Sequence, residues 1–189
     1  YTVENFDDTG QQIPGEEIDV SKITPINILV GMLDYSNQFN EKLKLEAGIK
    51  GTYAMFKNDI NVSYLDSGIW SDDPELTNKY SMDENIFAAY STVSYSFTEK
   101  TSLVAGVRYE YMNSVLDSET EKGIIDLHYG KLFPTVYFSH QLNANNTLQL
   151  SYSRRIDRPT FNEIAPFIVF MSPELFISGN ENLLPAFSD

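Results

Sequence analysis

The spacing of its turns constrains the fold of this chain more than any other feature. Three short polar turns, at residues 36–42, 98–100 and 143–146, each join two stretches of alternating apolar and polar residues. The connections between these hairpins are much longer and cover residues 54–83, 113–130 and 157 onward. Successive connections of an up-and-down sheet fall at opposite ends of its strands. The sequence therefore predicts an all-β, antiparallel up-and-down meander with the short turns at one end and the long loops at the other.

Six stretches alternate with the period of two that a strand requires. They are residues 25–35, 43–53, 84–97, 101–112, 131–142 and 147–156, and a weaker strand at 58–66 extends the first long loop. Stretches of roughly ten residues cross a bilayer when tilted, whereas strands in soluble proteins average about 5 or 6. Outer-membrane barrels combine such strands with tight turns on one side and long loops on the other. The pattern thus predicts strands with an apolar stripe toward lipid and a polar stripe toward a lumen.

The domain organisation follows from where the alternation begins. Residues 1–24 are acidic at the start and show no periodicity, so we predict an irregular loop there and a partial barrel over residues 25–189. The chain opens without an initiator methionine or a signal-peptide pattern, so we expect a mature protein or a piece of a longer one. Apolar runs fall short of the roughly 20 residues that a transmembrane helix needs.

Composition excludes several classes of function. The formal net charge is −14, and only 13 Lys and Arg residues are spread through the chain. Nucleic-acid binding needs clustered positive charge, so we expect no such partner. The absence of Cys removes disulfides, thiolate zinc sites and thiol nucleophiles. The aromatic content, 12 Tyr and 12 Phe, suits strands and membrane-interface girdles.

Catalytic motifs are missing from the sequence. The two histidines, His128 and His140, lie apart, and no nucleophile elbow, phosphate-binding loop or zinc-protease motif accompanies them. We therefore predict a protein that is not an enzyme and has no catalytic residues, metal or cofactor.

One acidic stretch, residues 66–75, carries the only tryptophan, Trp70. Its carboxylates could supply oxygen ligands for Ca²⁺, but they lack the spacing of an EF-hand loop, so a solvated loop is the favoured interpretation. Trp70 is either a stacking platform for a sugar or a local anchor of the loop.

A basic cluster, Arg154, Arg155 and Arg158, is the densest positive feature. The favoured interpretation is a strand end whose charges pair with nearby carboxylates such as Asp157 and Glu163. The alternative is contact with anionic lipid or an anionic ligand.

The polar stripes place further charges in the predicted lumen. Arg108 and Glu110 are two residues apart on one stripe and should meet there as a pair. Lys44, Glu46 and Arg155 fall on the equivalent stripes of their strands. Together with Trp70 and Arg158, Arg108, Glu110 and Arg155 form the predicted ligand-binding set in the lumen and loops.

The C-terminal third carries the most specific motifs. They are SYSRRIDRP at 151–159, FNEIAPF at 161–167 and SGNENLLP at 178–185. In this order they resemble the C-terminal half of the barrel of TonB-dependent outer-membrane receptors, in the branch common in Bacteroidetes-type bacteria. Segments at 42–50, 84–90 and 105–111 resemble earlier strands of the same family. Glu181 stands where proline is usual, and Ala186 stands where an acidic residue is common.

The resemblance implies a fold and a set of partners. Such receptors have a plug domain inside a barrel of 22 strands, of which this chain would supply about seven and no plug. The implied function is import of a large nutrient across the outer membrane of a Gram-negative bacterium, powered through the TonB complex by way of a missing N-terminal part. The implied partners are the plug, the remaining strands, outer-membrane lipid and the nutrient, whether siderophore, glycan, peptide or cobalamin. The loops near residues 66–79, 116–126 and 158–182 would capture it.

Two other interpretations stay open at this point. One is a small, complete outer-membrane barrel acting as an adhesin or enzyme. The other is a soluble extracellular β-sandwich that binds glycans. An isolated segment of a barrel should in addition self-associate, because its edge strands would lack partners.

Overall fold

The protein is built almost entirely of strands. A computed structural model describes residues 5–6, 12–13, 17–66, 68–172 and 175–189. Within these residues the strands are β1 (Asn5–Phe6), β2 (Gln12–Ile13), β3 (Glu17–Ile23), β4 (Ile26–Asn40), β5 (Leu43–Asp66), β6 (Ile69–Asp72), β7 (Asn78–Thr98), β8 (Thr101–Ser118), β9 (Ile125–Asn143), β10 (Asn146–Ser153), β11 (Arg155–Asp157), β12 (Ile168–Ser172), β13 (Leu175–Ser178) and β14 (Ala186–Ser188). One helical turn, α1 (Phe161–Ile164), interrupts them. No helix in the described ranges is long and apolar enough to span a membrane.

The main sheet is a curled antiparallel meander in the order β10-β9-β8-β7-β5. The far edge of β5 pairs with β4 along residues 43–56 and with β3 along residues 59–65. The amide of Lys57 donates to the carbonyl of Pro25 over 3.0 Å, so pairing continues across the break between β3 and β4. The predicted all-β meander is confirmed.

The short turns lie side by side at one end of the sheet, as predicted. The amide of Ser96 donates to the carbonyl of Lys42, and the amide of Gln141 donates to the carbonyl of Lys100, each over 2.8 Å. These bonds link the β4–β5 turn to β7 and the β7–β8 turn to β9. Each bond joins a turn to the neighbouring strand of the sheet. The two turns therefore lie at the same end, as they do in a meander whose strands alternate in direction.

The prediction of an irregular loop over residues 1–24 is wrong for Glu17–Ile23. Ile18 is buried and pairs with Tyr64, because β3 alternates apolar Ile18 and Val20 with the acidic residues Glu17 and Asp19. This alternation is too short to stand out in an acidic stretch. β1 and β2 form a separate two-stranded ladder. The rest of the predicted loop before residue 17 lies outside the described residues.

One face of the main sheet, here called the outer face, is apolar and exposed. Residues directly opposite on paired strands share a face, and successive rows here read Leu43–Tyr95–Leu103–Phe138–Leu150, Leu45–Val93–Ala105–Val136–Tyr152, Ala47–Ser91–Val107–Pro134, Ile49–Ala89–Tyr109–Leu132 and Gly51–Phe87–Tyr111–Gly130. Large members of these rows such as Phe87, Tyr109 and Leu132 are 44–57% exposed. We call these rows the apolar band.

Aromatic side chains border the apolar band at both ends. Tyr95 and Phe97 contact each other near the short turns, with ring centroids 4.8 Å apart, and Phe87 and Tyr111 lie toward the other end. Ten residues separate Phe97 from Phe87, about 34 Å along a strand and about 26 Å across a membrane at the usual barrel tilt. That height matches the lipid-facing belt of a transmembrane barrel, which is about 25 Å.

The opposite, inner face holds the hydrophobic core beyond the apolar band. Met82, Leu116 and Ile125 form one buried inner-face row. At this level the outer face turns polar, with Asp83 opposite Val115 and Asn85 opposite Asn113. The strands thus continue past the apolar band with their apolar side turned inward.

The connections are shorter than the predicted 54–83 and 113–130 because strands continue into them, and the weaker strand predicted at 58–66 is confirmed as part of β5. β5 runs to Asp66 and β8 to Ser118, so the connections are only residues 67–77, which contain β6, and 119–124. The sequence pattern ends at the edge of the apolar band because the hydrophobic stripe changes faces there.

Candidate functional site

The inner face at the level of the apolar band is polar and charged. Its rows read Lys44–Ser94–Val104–Tyr137–Ser151, Glu46–Thr92–Gly106–Thr135–Ser153, Asp34–Gly48–Tyr90–Arg108–Phe133 and Lys50–Ala88–Glu110–Lys131. These rows are the candidate site. Side chains alternate between the two faces of a strand, so the residues of these rows are the sequence neighbours of the band residues.

Arg158 joins the segment after β11 to the middle of this face. Its Nη2 donates to Oε2 of Glu110 over 2.7 Å, and its Nε donates to the hydroxyl of Tyr129 over 3.1 Å. The other carboxylate oxygen of Glu110 lies 3.5 Å from Nε of Arg108. The Glu110 side chain is only 10% exposed. A carboxylate so deeply buried needs cationic partners on both oxygens, and it has them.

Residues 158–167, here called the docked segment, cover the inner face beyond these charges. Phe161 stacks on Phe56 with ring centroids 5.7 Å apart, and Phe167 packs against Tyr80 at the same distance. The two phenylalanines contact each other at 5.5 Å. The buried aromatic contacts and the Arg158 ion pair together hold the segment on the wall of the sheet.

A carboxylate shapes the start of α1. Oε2 of Glu163 accepts hydrogen bonds from the amide of Thr160 over 2.6 Å and from its hydroxyl over 2.8 Å. These donors, the amide first, lower the pKa of Glu163 below its usual value. Both bonds favour the ionised carboxylate, so the turn is held best when Glu163 is charged.

Gly179 and Asn180 close the docked segment from the C-terminal side. The amide of Asn180 donates to the carbonyl of Glu163 over 2.7 Å, and the amide of Gly179 donates to the carbonyl of Ala165 over 3.2 Å. A Cβ at Gly179 would lie 2.9 Å from the amide nitrogen of Ala165 and would also meet its carbonyl oxygen. The absence of a side chain therefore lets the two backbones touch.

A cavity of about 380 Å³ opens on the inner face between β5 and β9. Its lining includes Lys50, Tyr90, Thr92, Arg108 and Thr135, with Gly106 and Ala88 between them. Tyr90 reaches over Gly48 to donate its hydroxyl to Asp34. The small residues create the depression, and the long ones form its rim.

Three of the five predicted site residues come together. Arg108, Glu110 and Arg158 form the ion-pair network described above, which confirms that the first two meet on one face. Trp70 is remote from them, because it pairs with Leu65 whereas the Arg108 row crosses β5 at Gly48. Those two positions are about 55 Å apart along the strand.

Arg155 lies in β11, pairs in register with Ser188, and is exposed. It makes no ion pair with any residue in the described part of the chain. Lys44 and Glu46 lie on the inner face as predicted and pair with each other over 2.7 Å. The network thus forms around Arg158 and not around Arg155.

Two of the three arginines of the basic cluster pair with carboxylates, as predicted, but their partners are not Asp157 and Glu163. Arg154 instead makes two hydrogen bonds to the carboxylate of Asp189, at 2.8 and 2.9 Å, and Arg158 reaches Glu110. Both partners are distant in sequence, and only the return of the chain at β14 and the folding of the docked segment bring them close.

The carboxylates of the acidic stretch near Trp70 accept hydrogen bonds from nearby groups. Asp73 accepts hydrogen bonds from the amides of Glu75 and Leu76, and Asp72 accepts one from the hydroxyl of Ser63. In the described ranges no three His, Cys, Asp or Glu residues gather as metal ligands would. Trp70 itself is 50% exposed in β6.

The tight packing of the docked segment was not anticipated from the sequence, nor was the contact of Tyr129 with Arg158. Tyr129 is recognisable only after β9 has been extended back to Ile125, since its register places it one row from Glu110. The FNEIAPF motif was the available signal, because two phenylalanines in a polar connection indicate a buried anchor.

Comparison with known families decides what kind of chain this is. A family model described as the outer membrane protein beta-barrel family matches residues 1–189. The chain belongs to that family. No curated protein matches it.

Membership of the outer membrane protein beta-barrel family explains both faces of the sheet. Barrels of this kind carry an apolar band toward lipid and polar residues toward the lumen, and the apolar band and the charged rows follow that pattern. The soluble sandwich interpretation is wrong, because in the described residues no second sheet covers the band. As a member of this family the chain is an outer-membrane protein.

Proposed function

We propose that this chain forms part of the barrel of a TonB-dependent receptor that imports a large nutrient across the outer membrane of a Gram-negative, Bacteroidetes-type bacterium. The motifs at 151–159, 161–167 and 178–185 support the receptor class, and the inner face supports transport. The nutrient is captured at the docked segment and the charged rows and then passes through the lumen.

The openness of the main sheet carries this proposal. β4 and β10 stand at opposite ends of the strand order, and no pairing joins them in the part of the chain that the structure describes. Unpaired backbone groups cost several kcal/mol each in hydrocarbon, so a membrane sheet must close. Closing this curled sheet needs further strands, and barrel diameter grows with strand number.

A barrel with more strands than the main sheet supplies has a lumen wider than its side chains fill. A wide, charged lumen suits a large polar nutrient, and a plug domain keeps such a lumen from leaking. We propose the plug and the remaining strands as structural partners of this chain. The energy for moving the plug comes from the inner membrane through the TonB complex.

Uptake by the native bacterium tests the proposal. Deletion of the gene should abolish growth on one nutrient of a panel of siderophores, glycans, peptides and cobalamin, and re-expression should restore it. Dissipating the proton gradient with an uncoupler should stop import but leave binding to the cell surface intact. Import that persists in uncoupled cells would contradict an energised receptor and favour a passive channel.

A further inference from the structure

We propose that the inner-face cavity beside Arg108 binds the anionic group of a hydroxylated small molecule, a carboxylate or a phosphate. This inference deepens the proposed function and rests on it, because the ligand has to reach the lumen. It specifies the anionic group that one subsite binds and does not specify the rest of the nutrient.

The shape of the cavity fits a ligand group of the size of a monosaccharide. Its volume of about 380 Å³ lies in the range of small-molecule sites, roughly 300–1,000 Å³. Gly106 forms part of its floor, and a Cβ there would lie 2.8 Å from Oγ1 of Thr92 and 3.3 Å from the carbonyl of Ser91. Any larger residue at position 106 would fill the depression.

The local charge is opposite in sign to that of the chain. The sequence carries a net charge of −14, yet the charged residues that line the cavity are Lys50, Arg108 and Glu110. Glu110 is bonded to Arg158, which lies outside the lining. Two lining cations against one paired carboxylate make the lining positive, so it attracts an anion.

The two lining cations keep donors available. Lys50 is exposed and makes no ion pair with a described residue. Arg108 is held over the ring of Phe133, with its guanidinium carbon 5.1 Å from the centroid, and its side chain remains 46% exposed. Its contact with Glu110 is made through Nε over 3.5 Å. A guanidinium held against a ring can still present terminal nitrogens to a planar oxyanion.

Hydroxyl groups on the rim match a hydroxylated ligand. The side chains of Thr92 and Thr135 share one row with Gly106 and line the cavity. Each hydroxyl can both donate and accept a hydrogen bond. The cations thus fix the anionic group, and the threonines contact the polar remainder.

Binding to the detergent-solubilised outer-membrane protein tests this inference. The probes are glucuronate, glucose 6-phosphate and glucose, which share a sugar ring and differ in the anionic group. Affinity is measured by calorimetry or ligand-detected NMR at low salt. We expect at least one anionic sugar to bind about tenfold more tightly than glucose, and added salt to weaken that binding. The stronger of the two identifies the anion as carboxylate or phosphate.

Three variants and a control locate the site. Arg108→Gln and Lys50→Gln should each weaken binding of the preferred sugar about tenfold, and Gly106→Val should abolish it by filling the floor. Lys57→Gln is the matched control, since Lys57 is an exposed lysine of β5 that lies on the opposite face and outside the cavity. Heat-modifiable migration on gels confirms that each variant is folded.

Equal affinity for all three sugars, or binding of none, overturns the inference, and so does anion binding that survives Arg108→Gln and Lys50→Gln. These outcomes do not depend on energised import, because binding in detergent needs no proton gradient. Conversely, a passive channel could hold the anion site, so the uptake experiment judges the receptor proposal separately.

Discussion

Arg158 and Glu110 are bonded over 2.7 Å although 48 residues separate them in sequence. The bond joins the segment that follows β11 to the centre of β8 on the inner face. It is the polar half of an attachment whose apolar half is the packing of Phe161 and Phe167. Residues 158–167, which the sequence predicts to be part of a loop, are thereby held on the inner face of the sheet.

Arg158→Ala should release the docked segment at its polar end. The variant leaves Glu110, whose side chain is 10% exposed, with only the longer contact to Arg108. Leaving a buried carboxylate under-paired costs about 2 kcal/mol. We expect faster protease cleavage after residue 158 and a lower free energy of unfolding in detergent.

Lys44→Ala is the control for that variant, because its ion pair with Glu46 is exposed and worth less than about 1 kcal/mol. If both alanine variants lose the same stability, the Arg158 bond does not anchor the segment.

Gly179→Ala should disrupt the contact between the docked segment and the chain that follows it. The added Cβ meets backbone atoms of Ala165, which cannot rotate away as a side chain could. We expect a loss of about 1–3 kcal/mol and faster amide exchange at Gly179 and Asn180. Gly51→Ala is the matched control, since a Cβ there meets nothing within 4 Å. Equal effects at the two glycines would contradict the close backbone approach.

The turn at α1 should loosen in acid. Hydrogen bonds from Thr160 lower the pKa of Glu163, so the folded state holds its carboxylate charged more strongly than the unfolded state does. The contribution to stability is present above the ordinary glutamate pKa of about 4.3 and is lost as pH falls through the lowered value. Amide exchange of residues 160–165 should therefore accelerate below about pH 4. In Glu163→Gln the exchange should be faster at neutral pH and lack that acid-dependent step, and an unchanged acid step would assign it to another group.

Arginine should be tolerated on one face of β7 and not on the other. Val93 lies in the apolar band, and its neighbour Ser94 lies on the inner face. Val93→Arg places a charge in hydrocarbon at a cost of about 2 kcal/mol, whereas Ser94→Arg adds a charge to a lumen. Folding into lipid vesicles, followed by heat-modifiable migration, should drop for the first variant only. Similar folding yields would mean that the band does not face lipid.

The strands within the membrane zone could be predicted from the sequence because their two faces meet different surroundings. Val93, Tyr95 and Phe97 alternate with serines, and the register with β8 shows that this alternation separates the faces. The pairing of Arg108 with Glu110 follows from the same rule, since residues two apart on a strand share a face.

The extensions of the strands could not be predicted in the same way. Above Phe87 the outer face carries Asn85 and Asp83 in water, while Met82 turns inward beneath the docked segment. The apolar stripe changes faces at the membrane boundary, and a search for one continuous stripe stops there. The partners of Arg158 could not be predicted either, because only the folding of the docked segment onto the sheet brings Arg158 to Glu110.

The most direct test of the account is the lipid accessibility of single cysteines along β8. The chain contains no Cys, so each variant carries one reporter. Fluorescent labels at positions 103 to 111 are measured in vesicles of brominated lipid, which quench only labels that touch acyl chains. We predict strong quenching at positions 103, 105, 107, 109 and 111 and weak quenching at 104, 106, 108 and 110, since these positions alternate between the two faces. Quenching that is uniform along β8, or strongest at the even positions, would contradict the assignment of the outer face to lipid.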